Sequence, residues 1–470
     1  MYPEGTQVVY STWTPRGSRI PGVDKVVSFG QMAMLKKIHE IFKQYFFWVD
    51  IDVVLQQYIE FIAATLGDKN PDTTHIYNLH TLGYLPIAVR SLPEGTLVPL
   101  RVPYLTIHNT VKDEFFWVTN NLESLMSCEM WQAPTSATIA YGLRKILDDA
   151  AMRTVGSTDF VPFQGHDFSM RGMSSLESAI SSGMGHLLSF VGTDTAPAIL
   201  GAIHYYGADL SKELIGTSIP ATEHSVQCAY ADDVQYIKEM ITRVHPAGYV
   251  SIVCDGYDYW HVIKNILPEL KDIIMARDGK VVIRPDSGDP VEIVCGNDSK
   301  LLNSVEQKGS VEALWDIFGG TTSPQGYKIL DSHIGLIYGD SITPTRAQQI
   351  VDGLAQKGFA SINCVFGVGS YTYQYNTRDT FGFAMKSTYC KVNGEDRQIF
   401  KDPKTDDGTK KSQKGMVAVV RSADGRSYEC VDGLSPNDTC PDDQLRLIYK
   451  NGEFFNQDTF QQIRERLRAQ

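Results

Sequence analysis

The sequence predicts an α/β protein, an irregular parallel β/α barrel with an additional mixed α+β domain built from both chain ends. Three observations carry that prediction. From about 158 to 370 the chain repeats one pattern: an apolar run, then polar or Gly residues, then often a helix. The runs are short and continuously apolar, as in strands covered on both faces. There are seven of them: "FVPFQGHDF", "LLSFVGTDT", "GTSIPATEH", "YVSIVCDGYD", "KVVIRPDSGD", "IGLIYGDSI" and "INCVFGVGS". Seven units suit a closed or nearly closed barrel, and an open doubly wound sheet is the alternative.

Taken in order, residues 1–112 read as a mainly β part of the second domain. "TQVVYSTW" alternates, and "LPIAVRSLPEGTLVPLRVPYLTIHN" gives short strands punctuated by Pro and Gly turns. A helical stretch at about 31–66 interrupts them. Residues 113–155 read as a helical connection broken at Pro134, and 156–385 as the barrel. Its best-marked helix starts at Thr343 and Pro344, places Ala347, Ile350, Val351 and Leu354 on one face, and stops at Gly358. Residues 386–470 return to short strands, with a basic loop "KDPKTDDGTKKSQKG" and a last helix "DTFQQIRERLRAQ", packing with the α+β domain.

The formal net charge of −12 argues against a general nucleic-acid binder, which needs a basic face. A local Arg/Lys cluster can still hold a small phosphorylated substrate. The eight Cys form no C-x-x-C pair and show no zinc spacing, as in a reducing, cytoplasmic setting. The first residues do not read as a signal peptide, and no window holds 18 unbroken apolar residues, so no membrane partner is expected.

Barrel chemistry sits where strands end. Those ends carry His166, Asp167, Phe168 and Arg171, then Asp194, then Glu223 with His224, then Asp255. Arg284 with Asp286, Gly339 with Asp340, and Gly367, Gly369 and Ser370 follow. Asp and Gly are common after any strand, but seven consecutive ends bearing charge or Gly suggest a phosphorylated sugar. "YGDS" and "FGVGS" offer backbone N–H groups to a phosphate. In "RPDSG" the Arg can grip a diphosphate bidentately, and the Asp can take ribose hydroxyls or the shell of a Mg²⁺.

With "HDFSMRG", "GTDT", "PATEHS", "IRPDSGDP" and "GDSI" in this order, the chain resembles the nicotinamide phosphoribosyltransferase family. The resemblance starts at "YPEGTQVVYSTWTPR", passes through "FFWVTNNLES" and ends at "YKNGEFF". It implies transfer from 5-phosphoribosyl-1-diphosphate to nicotinamide, giving nicotinamide mononucleotide and diphosphate. It also implies Mg²⁺, ATP as co-substrate, and a homodimer with two active sites at the subunit interface. Carried over, His224 accepts a phosphoryl group from ATP, Asp255 orients it, and Glu223 is a second partner. Phe168 stacks on the pyridine ring, Asp194 accepts its carboxamide N–H, and Arg284 lies near both base and diphosphate. Arg171 faces the diphosphate and Asp286 the ribose. Gly339, Asp340, Gly367, Gly369 and Ser370 receive the 5-phosphate. Arg16, Arg378, Lys386 and Lys401 come from the other subunit. The Mg²⁺ ligands are left open.

The family usually begins with a further segment carrying an Asp and a Tyr that covers the ring from the neighbouring subunit. This chain starts at Met1-Tyr2-Pro3, past it. Either the true start lies upstream, or the ring is stacked on one face. Ser370 replaces part of the usual Gly-rich loop, and Ala384 stands where a Ser is expected. The competing readings are a nicotinate phosphoribosyltransferase, discriminated by Asp194, and a non-catalytic nucleotide-binding barrel.

Overall fold

A computed structural model describes residues 2–401, 405 and 412–470. Most of the predicted basic loop lies outside the described residues. The chain forms two compact units. One is Met1–Thr138, Ala202–Ala208 and Asn376–Gln470, and the other is Ile139–Gly201 and Asp209–Tyr375.

The first unit is built on a seven-stranded antiparallel sheet. Its order is Glu395–Gln398, Phe383–Val392, Thr6–Pro15, Leu105–Asn109, Ile87–Ser91, Arg446–Lys450 and Glu453–Phe454. Both chain ends enter this sheet, as the sequence predicts. The central strand Thr6–Pro15 is nearly all buried, and Trp13 stacks on Phe383 with ring centroids 5.3 Å apart. The indole N–H donates to the Tyr104 hydroxyl at 2.9 Å. The strand Phe383–Val392 pairs with Thr6–Pro15, so residues 376–385 belong to this unit.

The helical stretch expected at 31–66 is two helices, Gln31–Phe42 and Ile51–Leu66, with a π-helical turn between. The second starts afresh because the Asp50 carboxylate caps the Asp52 N–H. A helix at Thr74–Leu82 lies within residues read as mainly β. The helices Phe116–Met130 and Gln132–Thr154 part at Trp131, three residues before the expected break at Pro134. Pro134 instead sits in the first turn of the second helix, where its missing N–H has no partner to lose.

The second unit holds six parallel strands in the order Gly192–Thr193, Gly165–Asp167, Cys364–Val368, Ile334–Tyr338, Val281–Arg284 and Val250–Val253. Of the seven predicted runs, "GTSIPATEH" forms no strand. It makes two isolated parallel bridges, Thr217 to Gly192 and Ala221 to Ser251, which join the two edges of the curled sheet. Pro220 explains the interruption: its missing N–H breaks a continuous ladder. The order around the ring follows the order along the chain. Between strands, the helix Pro344–Gln356 starts at Thr343, whose hydroxyl accepts from the Arg346 N–H. Ala347, Ile350, Val351 and Leu354 are buried. Gly358 at φ 77° takes the left-handed conformation that ends the helix.

Candidate active site

The third run places His224. The Thr222 N–H donates to the Ser251 carbonyl at 3.0 Å, and its hydroxyl accepts from the Val253 N–H at 3.0 Å. These bonds pin the interrupted run to its neighbouring strand. The short helix His224–Cys228 follows, and its Gln227 side chain accepts from the Gly256 N–H at 3.0 Å. His224 and Asp255 are therefore held from both sides, and His224 Nε2 lies 2.9 Å from Asp255 Oδ1.

Asp255 is buried at 4 % side-chain exposure, while His224 is 44 % exposed. The other Asp255 oxygen accepts from the Asp286 N–H at 2.9 Å. Burial pushes the Asp255 carboxyl up, but hydrogen bonds from Ser287, the Asp286 amide and His224 together hold it below its ordinary range. It is a fixed anion behind the imidazole. Glu223 does not join Asp255 in holding the ring. Its carboxylate accepts from the Ser225 hydroxyl, and it is exposed.

Arg284 and Asp286 follow the strand Val281–Arg284, and Arg284 Nε lies 3.3 Å from Asp286 Oδ1. Both atoms are buried, and neither has a hydrogen-bond partner among the described residues. Burial raises the Asp286 pKa; Arg284 opposes that, while Asp255 and Asp340 add to it. A β-carbon on Gly339 would meet Asp286 Oδ1 at 1.8 Å, and one on Gly367 would meet the Gly339 backbone at 2.6 Å. Only glycine lets these two loops close on the carboxylate. Gly369 lies against Asp340, where an added β-carbon would be 2.8 Å from Oδ1. The Ser341 hydroxyl donates to the other Asp340 oxygen. Ser370 packs on Gly172, beside the exposed Arg171.

Phe168 and Asp194 line a cavity of about 460 Å³ inside the barrel. It runs from these strand ends past Ser251 to Lys280 and Val365 at the opposite ends. Asp194 Oδ1 takes two contacts, His166 Nε2 at 2.9 Å and the Ser218 hydroxyl at 2.5 Å. Burial raises its pKa, but the His166 and Ser218 bonds and the charges of His166 and Arg284 outweigh that and lower it. The His166 and Phe168 rings lie 4.5 Å apart. The charge of Arg284 acts on both Asp194 and Asp286.

Arg16, Arg378, Lys386 and Lys401 all fall in the antiparallel unit. Arg16 Nε donates to the Gly382 carbonyl at 2.9 Å, and Arg378 lies 3.5 Å from Asp379. Lys386 pairs with Glu123 at 2.6 Å, and Lys401 is exposed. Ser218, Ser287 and the orienting role of His166 are not legible in the sequence. Single serines in loops carry no pattern, and only the fold brings them to the carboxylates.

Residues 163–453 match the nicotinate phosphoribosyltransferase (NAPRTase) family. The chain belongs to that family. A protein of Acinetobacter baylyi named nicotinamide phosphoribosyltransferase is 45% identical over 483 residues, covering 100% of this chain and 94% of the relative. One of Mycoplasma pneumoniae with the same name is 36% identical, covering 86% of this chain and 90% of its own. The fold is similar to the crystal structure of nicotinate-nucleotide pyrophosphorylase from Pyrococcus furiosus, with TM-score 0.57 and 16% identity over 99% of this chain and 89% of that one. It is also similar to human nicotinic acid phosphoribosyltransferase, with TM-score 0.55, 14% identity and the same coverage. As a family member, the chain is a phosphoribosyltransferase enzyme. Among the described residues, no helix is long and apolar enough to cross a membrane.

Proposed function

We propose that this enzyme transfers the phosphoribosyl group of 5-phosphoribosyl-1-diphosphate to the ring nitrogen of nicotinamide, releasing diphosphate. The carrying observation is Asp194. It is held ionised by His166 and Ser218 at a cavity flanked by Phe168. Such a carboxylate accepts a carboxamide N–H and repels the carboxylate of nicotinate. The names of the bacterial relatives support the same base.

In the reaction, Phe168 supports the flat ring and Asp194 orients the amide so that the pyridine nitrogen faces the anomeric carbon. Arg284 and Arg171 oppose charge building on the departing diphosphate. Asp286 takes the ribose hydroxyls, and the loops at Gly339–Asp340 and Gly367–Ser370 hold the 5-phosphate. The ring nitrogen already carries its lone pair, so no general base is needed.

Asp286 Oδ1, buried, facing Arg284 at 3.3 Å but without a hydrogen bond among the described residues, and under the charge of Asp340, fits Mg²⁺, which prefers one or two carboxylates plus substrate phosphates. Asp286 and Asp340 would hold the ion, which would neutralise the leaving diphosphate.

ATP enters through His224. With Nε2–H donated to Asp255, Nδ1 holds the lone pair that takes the γ-phosphoryl group. A second copy of the chain supplies Arg16, Arg378, Lys386 and Lys401, and the enzyme works in the cytoplasm. Replacing Asp194 by Ala tests the central point. The kcat/KM ratio of nicotinamide over nicotinate should fall at least about tenfold, the scale of one hydrogen bond to a charged group. An unchanged ratio would remove Asp194 from base selection.

A further inference from the structure

The antiparallel unit carries a second cavity, of about 440 Å³, lined by none of the residues assigned above. Its floor is one face of the sheet. Tyr389, Tyr10, His108, Ala88 and Lys450 stand directly opposite one another on five successive strands, so their side chains share that face. Val8 and Lys391, the pair two residues along, continue it. Ala88 leaves the gap between the larger side chains. Met416, Pro436 and Leu447 provide apolar walls, and Lys112 stands at the rim.

The electrostatics run against the chain as a whole, whose net charge is −12. Lys112 and Lys450 have no ion-pair partner among the described residues. The imidazole of His108 has no hydrogen-bond partner among them either. Burial, with the charges of Arg90 and Lys450, pushes its pKa down to about 4, so it is neutral at pH 7. Two neighbouring acids are already engaged, while Glu453 stands directly opposite Lys450 on the adjoining strand without an ion pair among the described residues. Asp396 accepts from the Tyr389 hydroxyl at 2.7 Å and pairs with Lys391 at 3.3 Å, and Asp443 pairs with Arg90 at 3.1 Å. The Tyr10 hydroxyl is taken up by the Val417 backbone. The cavity therefore offers a flat aromatic and apolar floor, a free imidazole and two unpaired ammonium groups.

We propose that this sheet-face cavity binds a small planar aromatic carboxylate, its ring over Ala88 and against Tyr10 and His108, its carboxylate between Lys112 and Lys450. The volume suits a ligand of one or two rings and is too small for a polypeptide segment. The apolar walls favour an organic anion over bare phosphate.

The test uses the full-length protein, with 2-naphthoate as probe, 2-naphthamide as the uncharged control and inorganic phosphate as the bare anion. Ring resonances of His108, assigned by their loss in His108→Gln, report binding by NMR. Should that variant not fold, the assignment comes from paramagnetic broadening by a spin label at a Lys450→Cys site. Naphthoate should shift His108 saturably in the millimolar range or below, with naphthamide and phosphate at least tenfold weaker. The exposed double variant Lys112→Glu/Lys450→Glu should lose at least tenfold in affinity while keeping its melting temperature and its phosphoribosyl transfer. No saturable shift up to about 10 mM, equal binding of naphthamide or phosphate, unchanged affinity in the double variant, or a response confined to His166 in the barrel would each overturn the assignment.

Discussion

The imidazole of His224 presents its two nitrogens to different surroundings. Nε2 faces a buried carboxylate held ionised by three donors, and the ring as a whole is half exposed. Changing His224 to Ala should therefore eliminate ATP hydrolysis and the ATP-driven gain in turnover, while slower transfer without ATP persists. Coupled ADP release and mononucleotide formation measure the two separately, and full ATP stimulation in the variant would refute the phosphorylation site. A second prediction concerns Gly339. Its replacement by Ala puts a methyl group 1.8 Å from the present position of Asp286 Oδ1, so the carboxylate must move. The kcat/KM for phosphoribosyl diphosphate should drop at least about tenfold with an unchanged circular dichroism spectrum, because small misplacements of a reacting group are costly. At this scale the sequence shows residue type and order well. His224, Asp255, Arg284 and Asp286 are legible because each stands at the end of an apolar run. The role of Glu223 is not, since adjacency in sequence does not fix which way a side chain turns, and here it turns to Ser225.

Elements were legible where two local signals agree. The helix Pro344–Gln356 has a cap, a Pro in its first turn, a buried stripe and a terminating Gly, and it forms as expected. The run "GTSIPATEH" has the composition of a strand, yet Pro220 leaves it with only two bridges. That irregularity is useful, because a regular strand would continue the ladder where the loop must instead turn out to carry Ser218 and His224. In the antiparallel unit, the turn "LPEG" buries Glu94, where it accepts from the Gly30 N–H at 2.6 Å and the Tyr206 hydroxyl at 2.9 Å. Burial outweighs these bonds and pushes its pKa from the ordinary 4.5 up to about 7. Between those two values the folded chain keeps a proton that the unfolded chain has released. Stability is therefore fully present below about pH 4.5, falls as pH rises, and levels off above about 7. The change attributable to Glu94 is up to about 3 kcal/mol. Glu94→Gln should flatten that portion of the curve of unfolding free energy against pH. An unaltered slope between pH 4.5 and 7 would show that Glu94 is ionised throughout.

At the scale of the whole molecule, the contribution of both chain ends to one antiparallel sheet and the parallel ring between them were both visible in the sequence. Short continuous apolar runs between helices have few other solutions, and the ring order repeats the chain order. The limits of the units were harder to see. The division falls inside the helix Gln132–Thr154, and residues 202–208 join the antiparallel unit because Tyr206 packs on Phe29 and bonds Glu94. Such contacts bridge more than a hundred residues and leave no local trace. The cavity through the barrel was equally hidden, since small side chains such as Gly192, Ala221 and Ser251 read as ordinary strand residues. Everything proposed for the reaction depends on the strand ends acting together on one sugar diphosphate and one flat amide. The direct measurement gives the purified protein phosphoribosyl diphosphate, Mg²⁺ and ATP, with nicotinamide or nicotinate in separate reactions, and follows mononucleotide and diphosphate. Equal amounts of nicotinamide mononucleotide and diphosphate, formed with a kcat/KM at least about tenfold above that for nicotinate, are predicted. No mononucleotide from either base, or a preference for nicotinate, would contradict the account.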